Sequence, residues 1–256
     1  MLLINSSWIL KVSEETALPR AYGLELIKLL HYQMGLPFDG EMPTISYSGL
    51  TGQYRHTQDF LTFYPGEPYQ LSLGVLQETA SKAIANLALG ERLDFLGATF
   101  EVSDRTDETT SYEVLYHSLV ANEPEPIHQF QLRFITPTAF AQGKIHLPLP
   151  LPSLMFRSWL ERWNHFAPVY LGSTELVGYL EQSIALNRHR LQTAPFRVHT
   201  GQISGFKGDI TLRVLNHIDP LLANVANLLI HYAEFAGTGM KTRLGMGQTL
   251  LMSKGK

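Results

Sequence analysis

The sequence predicts an α+β protein of two domains, each with helices packed on one face of an antiparallel sheet. Strand-like and helix-like periods of apolar residues alternate along all 256 residues. Two prolines interrupt this pattern at Asn122–Pro126, and they favour an extended link. The charge changes sign at the same place. Residues 1–127 carry 7 Lys and Arg against 17 Asp and Glu, a net of −10, whereas residues 128–256 carry 13 against 6, a net of +7. We therefore predict domains at 1–123 and 124–256.

The first domain has the element order of a ferredoxin-like (RRM-like) fold. The predicted elements are a strand at 2–12, a helix at about 19–34, a strand at 44–50, a hairpin of strands 60–64 and 69–76, a helix at 77–89, and strands at 93–103 and 111–120. Pro65–Pro68 provides the turn of the hairpin. The order places two helices on one face of an antiparallel sheet.

The second domain loosely repeats this order. The predicted elements are a strand at 130–136, a proline-spaced arm at 146–152, an aromatic-rich helix at 154–166, strands at 196–204 and 208–216, a helix at 220–235 and a strand at 248–252. Ser204–Gly208 is predicted to be a tight turn, and Asp219 with Pro220 is typical of a helix start. We therefore expect two tandem ferredoxin-like domains.

A C-terminal glycine-rich loop, Ala236–Gln248, places four glycines around two cations, Lys241 and Arg243. Glycines permit positive φ and close backbone approach, and exposed N–H groups beside cations attract phosphates. A helix cap needs only one glycine. The phosphate-loop motif fails by one residue, and Gly-x-Gly-x-x-Gly fails at Thr242. The glycines are Gly237, Gly239, Gly245 and Gly247.

Composition excludes several classes of protein. The chain has no cysteine, which rules out disulfides, thiolate nucleophiles and Cys-ligated zinc. It shows no metal-site motif, so no metal and no cofactor are expected. The apolar start at Met1–Val12 is predicted to be a strand and not a signal peptide, and no apolar run is long enough for a membrane span. We expect a cytoplasmic protein.

The glycine loop and three other segments resemble a known family. The loop matches Gly-x-Gly-x-Lys-Thr-x-x-Gly-x-Gly, and Phe134–Thr138, Leu149–Asn164 and Gly205–Ile210 precede it in the family's order. The family is that of the CRISPR-associated repeat-processing endoribonucleases (the Cas-six family of the RAMP superfamily). The resemblance implies two ferredoxin-like domains, binding of CRISPR repeat RNA, and metal-independent cleavage of the precursor transcript that releases guide crRNAs.

Metal-free RNA cleavage needs a base for the 2′-OH, an acid for the 5′-oxygen and a cation near the phosphate. The resemblance implies a catalytic histidine in the first domain, on or just after the first helix. His31 is predicted at the border of that helix's buried face with Lys28 beside it as charge stabiliser, and His56 is predicted on an exposed loop. Residues 35–54 contain no His, Lys or Arg, which departs from the family pattern.

Weaker catalytic candidates are Arg20, Tyr32 and Arg55, while His117 is predicted to lie in a strand and to be structural. Lys241 and Arg243 lead the candidates for RNA binding. The other candidates, apart from the four glycines, are Arg157, Arg162, Arg188, Arg190 and Lys207. Trp159 and Trp163 lie four residues apart on one helix face, and we expect them to pack in the core.

Two alternatives stay open at this point. The chain could be a catalytically silent RNA-binding subunit of a CRISPR effector complex, with the same folds and loop. It could also be a ferredoxin-like enzyme that binds a small phosphorylated molecule at the glycine loop. The basic second half favours RNA, both precursor and mature crRNA, over a small molecule. The sequence does not predict the oligomeric state.

Overall fold

The computed structural model describes residues 1–38, 40–199, 201–215 and 218–252. Its first half contains eight strands and three α-helices. They are β1 (Leu2–Lys11), β2 (Thr16–Pro19), α1 (Gly23–Met34), β3 (Ile45–Thr51), β4 (Arg55–His56), β5 (Phe60–Phe63), β6 (Tyr69–Val75), α2 (Glu78–Ala85), β7 (Arg92–Phe95), β8 (Ala98–Ser111) and α3 (Tyr112–Tyr116). A π-helical turn, His117–Ala121, follows α3.

Five of these strands form one antiparallel sheet in the order β3-β6-β1-β8-β7. Its first four members have the arrangement of a ferredoxin-like domain, in which α1 connects β1 to β3 and α2 follows β6. Residues of β1 alternate between buried and partly exposed positions, because one face of the strand packs on the core. This alternation is what predicts the strand from the sequence. Strand β7 extends the sheet by pairing with β8.

Two predictions for the first half are wrong. Residues 60–63 and 69–75 are strands, but they do not pair with each other: β5 pairs with β2 and β4 in a separate three-stranded sheet. A strand was predicted at 111–120, but residues 112–121 are helical, and His117 begins a π-helical turn. Ser111 accepts a hydrogen bond from the N–H of Val114 and thereby caps this helical segment.

In its described residues, the second half contains six strands and three α-helices. They are β9 (Gln129–Thr138), β10 (Phe140–Gln142), β11 (Ile145–Leu147), α4 (Pro152–Phe166), α5 (Thr174–Ser183), β12 (Ile184–Val198), β13 (Gly201–Val214), α6 (Pro220–Ala236) and β14 (Thr249–Met252). Four strands form an antiparallel sheet in the order β12-β13-β9-β14, which is the ferredoxin-like order again. The predicted tandem of two ferredoxin-like folds is therefore confirmed.

The hairpin of the second half is longer than predicted and turns elsewhere. Strands β12 and β13 pair from Ile184 with Val214 to Val198 with Gly201, so the predicted turn at Ser204–Gly208 lies inside β13. Gly208 has φ +123°, and a methyl group there would overlap the carbonyl of Arg190. The register of β13 against β9 shifts between Phe206 and Gly208. Gly205 and Gly208 therefore lie at a β-bulge and not in a turn.

The predicted start of α6 is confirmed. The Asp219 carboxylate accepts hydrogen bonds from the N–H groups of Leu221 and Leu222, and Pro220 occupies the first helical turn. Twelve of the seventeen residues of α6 are buried, so this helix lies at the centre of the second half.

The two halves share buried side chains. One core lies within residues 4–100, and the other extends over residues 130–236 but includes Leu3, Leu76, Tyr112 and Val120 from the first half. The Tyr112 hydroxyl donates to the carbonyl of Leu76 and lies 3.2 Å from the hydroxyl of Tyr232 on α6. We keep the boundary between residues 123 and 124 as a proposal, since this junction has no regular secondary structure.

In the described residues, no helix combines the length and the apolar character that crossing a membrane requires.

Candidate active site and nucleic-acid interface

A cleft of about 190 Å³ opens where the two halves meet. The small three-stranded sheet contributes one wall: Arg20 directly follows β2, and His56 ends β4. The long hairpin contributes the facing wall with Arg197 from β12 and Lys207 from β13. One histidine and three cations, from segments far apart in sequence, therefore line a single cleft.

His56 is exposed in this cleft, and its ring meets the ring of Tyr54 edge-on, with a centroid distance of 5.1 Å. Partial burial lowers the pKa of the His56 imidazole, and the nearby charges of Arg20 and Lys207 lower that pKa further. Both effects disfavour the imidazolium. The neutral form, which can accept a proton, is therefore the main form of His56 at pH 7.

Lys207 is half-buried, and burial lowers the pKa of its ammonium. Two residues of the cleft carry no sequence motif and were missed: Arg197 and Tyr54. Tyr54 packs against both His56 and Phe63, and burial raises the pKa of its hydroxyl. The cleft forms only because β4 and the tip of the long hairpin pack close together. Local sequence patterns do not predict this packing.

His31 does not occupy the border position predicted for it. It is only 5% exposed. Its Nδ1 lies 2.9 Å from the carbonyl oxygen of Pro37, and its ring packs edge-on against Phe38. No described residue hydrogen-bonds Nε2. Burial lowers the pKa of this imidazole, so His31 is a neutral side chain that secures the turn after α1.

The remaining candidates around α1 face solvent. Lys28 is exposed and forms an ion pair of 3.0 Å with Glu25 one turn before it. Because His31 points inward, the surface that Lys28 was predicted to share with His31 does not exist. Tyr32 is 85% exposed, and Arg55 is exposed beside His56 on β4.

The glycine-rich loop connects α6 to β14. All four glycines have positive φ, at +66°, +77°, +107° and +79° for Gly237, Gly239, Gly245 and Gly247. At Gly247 a methyl group would overlap the carbonyl oxygen of Thr238, whose N–H donates to the Gly247 carbonyl at 2.8 Å. The two ends of the loop are thus pressed against each other, which requires the absence of a side chain.

Side chains of helix α4 form hydrogen bonds to the buried side of this loop. Arg162 is 6% exposed, and its Nη2 donates to the carbonyl of Gly239 at 2.6 Å. Ser158 Oγ accepts from the N–H of Gly239, and Trp159 Nε1 donates to Thr238 Oγ1. Arg162 is therefore buried and holds the loop in place, and its role as an RNA contact stays a prediction. Trp159 and Trp163 are fully buried, as predicted.

The two cations of the loop have different environments. Lys241 is exposed and takes a left-handed conformation with φ +54°. Arg243 is half-buried, donates from Nη2 to the carbonyl of Gly40 at 2.6 Å and lies over the ring of Phe38. Arg243 therefore binds the loop to the first half, while Lys241 is available to a ligand.

The other basic candidates lie outside the cleft. Arg188 and Arg190 are exposed on β12, where Arg190 pairs across the hairpin with Asp209. Arg157 is exposed on α4. Within residues 1–38, 40–199, 201–215 and 218–252, no three His, Asp or Glu side chains are close enough together to hold a metal ion.

Sequence comparison finds similarity to one family. Residues 132–249 match the family "CRISPR-associated endoribonuclease Cas6". The Cas6 endoribonuclease of Mycobacterium tuberculosis is 31% identical over 158 residues, which are 62% of this chain and 49% of the relative. The Cas6 endoribonuclease of Streptococcus thermophilus is 30% identical over 129 residues, which are 50% of this chain and 52% of the relative. The chain spans about half the length of the curated relatives it matches.

Solved structures share the fold over the whole chain. A Cas6 product complex superposes with a TM-score of 0.74 at 22% identity, covering 99% of this chain and 100% of the other. Thermus thermophilus Cas6 gives 0.71 at 20% identity, with 98% of both chains covered. A structure described as a RAMP protein binding different RNA substrates gives 0.63 at 13% identity, with 99% and 100% covered. These likenesses confirm the fold that the motif order predicted.

The close approach inside the glycine loop predicts a specific loss of stability. Gly247→Ala should lower the free energy of unfolding by more than the about 1–2 kcal/mol that a left-handed alanine costs, because the methyl group also overlaps the Thr238 carbonyl. Gly66→Ala is the matched control, since Gly66 has φ +83° and a methyl group there would meet no other side chain or backbone atom within 4 Å. Urea unfolding of both variants measures the difference, and equal losses would contradict the packing described.

Proposed function

We propose that this chain, which is similar to Cas6 endoribonucleases in sequence and to Cas6 structures in fold, is an endoribonuclease that binds CRISPR repeat RNA. It cleaves the precursor transcript within or beside the repeat and so releases guide crRNAs. The observation that carries this proposal is the cleft between the two halves, where His56 faces Arg20 and Lys207. An imidazole among cations is the side-chain set that RNA cleavage through the 2′-hydroxyl needs.

The proposed reaction uses no metal ion. His56 takes the proton of the 2′-hydroxyl, whose oxygen attacks the adjacent phosphorus, and the bond from phosphorus to the 5′-oxygen breaks. Lys207 gives a proton to the leaving 5′-oxygen, and its lowered pKa makes its ammonium a stronger acid than a free lysine. Arg20 and Arg197 stabilise the charge on the phosphate oxygens. The products are a 2′,3′-cyclic phosphate and a 5′-hydroxyl.

We assign the base to His56 and not to His31, because a buried imidazole cannot reach RNA without a rearrangement of the turn after α1. Lys28 likewise has no place in this cleft, since it pairs with Glu25 on the exposed face of α1. Lys241, Arg188 and Arg190 are proposed phosphate contacts outside the cleft, and Arg157 is a proposed RNA contact there. Association with a CRISPR effector complex and the cytoplasmic location stay predictions.

A second candidate is an RNA-binding protein without cleavage activity. It is favoured by one observation: residues 35–54 contain no His, Lys or Arg, and the family resemblance places catalytic side chains in that segment. The cleft would then bind the RNA backbone only. Cleavage assays separate the two candidates.

The proposed chemistry predicts cleavage without metal. Incubation with labelled RNA of the CRISPR repeat from the source genome, in EDTA, should give a product that ends in a cyclic phosphate. A single 2′-deoxy sugar at the cut should abolish cleavage and leave binding intact, because only the nucleophile is removed. Binding without cleavage would support the second candidate, and a requirement for magnesium would contradict the mechanism.

The assignment of the base predicts the effect of two substitutions. His56→Ala should reduce single-turnover cleavage about 10²–10⁴-fold, with little change in RNA affinity. Arg20→Ala should raise the pKa of His56, because it removes a positive charge that disfavours the imidazolium. Since the neutral imidazole is the active form, the acidic limb of the rate profile should move to higher pH. Lys11→Ala, exposed and outside the cleft, is the control. Wild-type rates in His56→Ala would place the base elsewhere.

The exposure of Lys241 predicts a phosphate contact. Lys241→Ala should weaken RNA binding and reduce the slope of log K against log salt by about 0.7–0.9, the value for one lost phosphate contact. Lys82→Ala is a control, because Lys82 pairs with Glu78 on α2 and lines neither wall of the cleft. Titrations at four salt concentrations measure both slopes. An unchanged slope in Lys241→Ala would leave the glycine loop with a purely structural role.

A further inference from the structure

The glycine-rich loop has a second side. The cleft is lined by the later residues of the loop, Leu244 and Gly245. The earlier residues, Gly239 and Met240, line a separate groove of about 590 Å³. Lys241 lies between these two parts of the loop in sequence, and we call the loop the ridge between the cleft and the groove. A groove of this volume is within the range of small-molecule and nucleotide sites.

Apolar side chains from both halves line part of the groove, beside polar ones such as Gln142 and Ser158. Met42 contributes from the first half, Met240 from the loop, and Phe140 from β10. Methionine side chains adapt to flat ring surfaces and make favourable contacts with them. The groove therefore offers apolar contact on more than one side to a planar ligand.

Two opposite charges on α4 line the same groove. Arg157 and Glu161 are one helical turn apart, a spacing at which such residues commonly pair, and both are exposed. In the described part of the chain, neither forms an ion pair. A guanidinium and a carboxylate are thus both free to bind a ligand that presents acceptors and donors together.

We infer that this groove holds one unstacked guanine of the bound RNA, next to the ridge. The Glu161 carboxylate accepts from guanine N1–H and the 2-amino group, and Arg157 donates to O6 and N7. Met42 and Met240 pack against the ring faces. The strand crosses the ridge at Lys241, which contacts a phosphate. The inference rests on the proposed function, and it adds a determinant of sequence specificity separate from the cleft.

Guanine satisfies this pair of side chains better than the other bases. It presents two adjacent donors on its Watson–Crick edge and two acceptors on its other edge. Cytosine and adenine each offer a single amino group to the carboxylate, and uracil offers one ring N–H. The free arginine and glutamate therefore favour guanine through complementary hydrogen bonds and not through overall charge.

A combined scan of RNA and protein tests the inference. Binding of the repeat RNA is measured by fluorescence anisotropy after each nucleotide in turn is replaced by an abasic site. For the wild-type protein, loss of one particular guanine should weaken binding about 5- to 150-fold, the range for a bidentate base contact. In Arg157→Ala and in Glu161→Gln, loss of that same guanine should have little further effect, because the contact is already gone.

Arg213→Ala and Glu181→Gln, both exposed and outside the groove, are the matched controls and should keep the wild-type pattern. A third variant, Met240→Ala, should likewise make binding insensitive to loss of that guanine, without changing any charge. The wild-type protein could bind the repeat while every abasic substitution weakens binding equally in the wild type and in the groove variants. In that case the inference is wrong and the proposed function stands. If the wild-type protein does not bind the repeat at all, the proposed function itself is wrong.

Discussion

The buried guanidinium of Arg162 determines the form of the glycine-rich loop, the surface that we propose to contact RNA. A charge removed from water is tolerated only where hydrogen bonds replace hydration, and here the carbonyls of Ser158 and Gly239 accept from it. Ser158 and Trp159 hold the same backbone segment through Gly239 N–H and Thr238. Helix α4 thus fixes the start of the glycine-rich loop at several points. The exposed position of Lys241, and the separation of cleft from groove, both follow from this anchorage.

Much of the fold was readable from the sequence because its signals are local. Alternating burial marks β1, and the residue types Asp219 and Pro220 mark the start of α6. The spacing of Trp159 and Trp163 on one helix face predicted their burial. Four motifs in a fixed order also predicted the tandem fold, and they extend from β9 to the loop before β14. Each of these predictions depends on neighbours within a few residues or on the order of segments.

The errors arose where distant segments decide the structure. Strand β5 pairs with β2 and β4, a choice set by tertiary packing that its own sequence does not specify. Glycines 205 and 208 were interpreted as a turn, although they lie at a bulge between three strands. His31 is buried because the segment that includes Pro37 and Phe38 folds back over it. Arg197 and Tyr54 were missed for the same reason, because the cleft exists only after the halves meet.

The shared core has a consequence for the proposed binding of RNA. Tyr112 lies in the core of the second half and meets Tyr232, while Ser46 on β3 donates to the carbonyl of Phe235 near the end of α6. Such joints leave little freedom for the two halves to close around a ligand. The shape of the cleft should then change little on binding, so a bound ligand has to adapt to it. Under the proposed function, RNA strands whose bases unstack at low cost bind best, so the flexibility of the RNA contributes to its recognition.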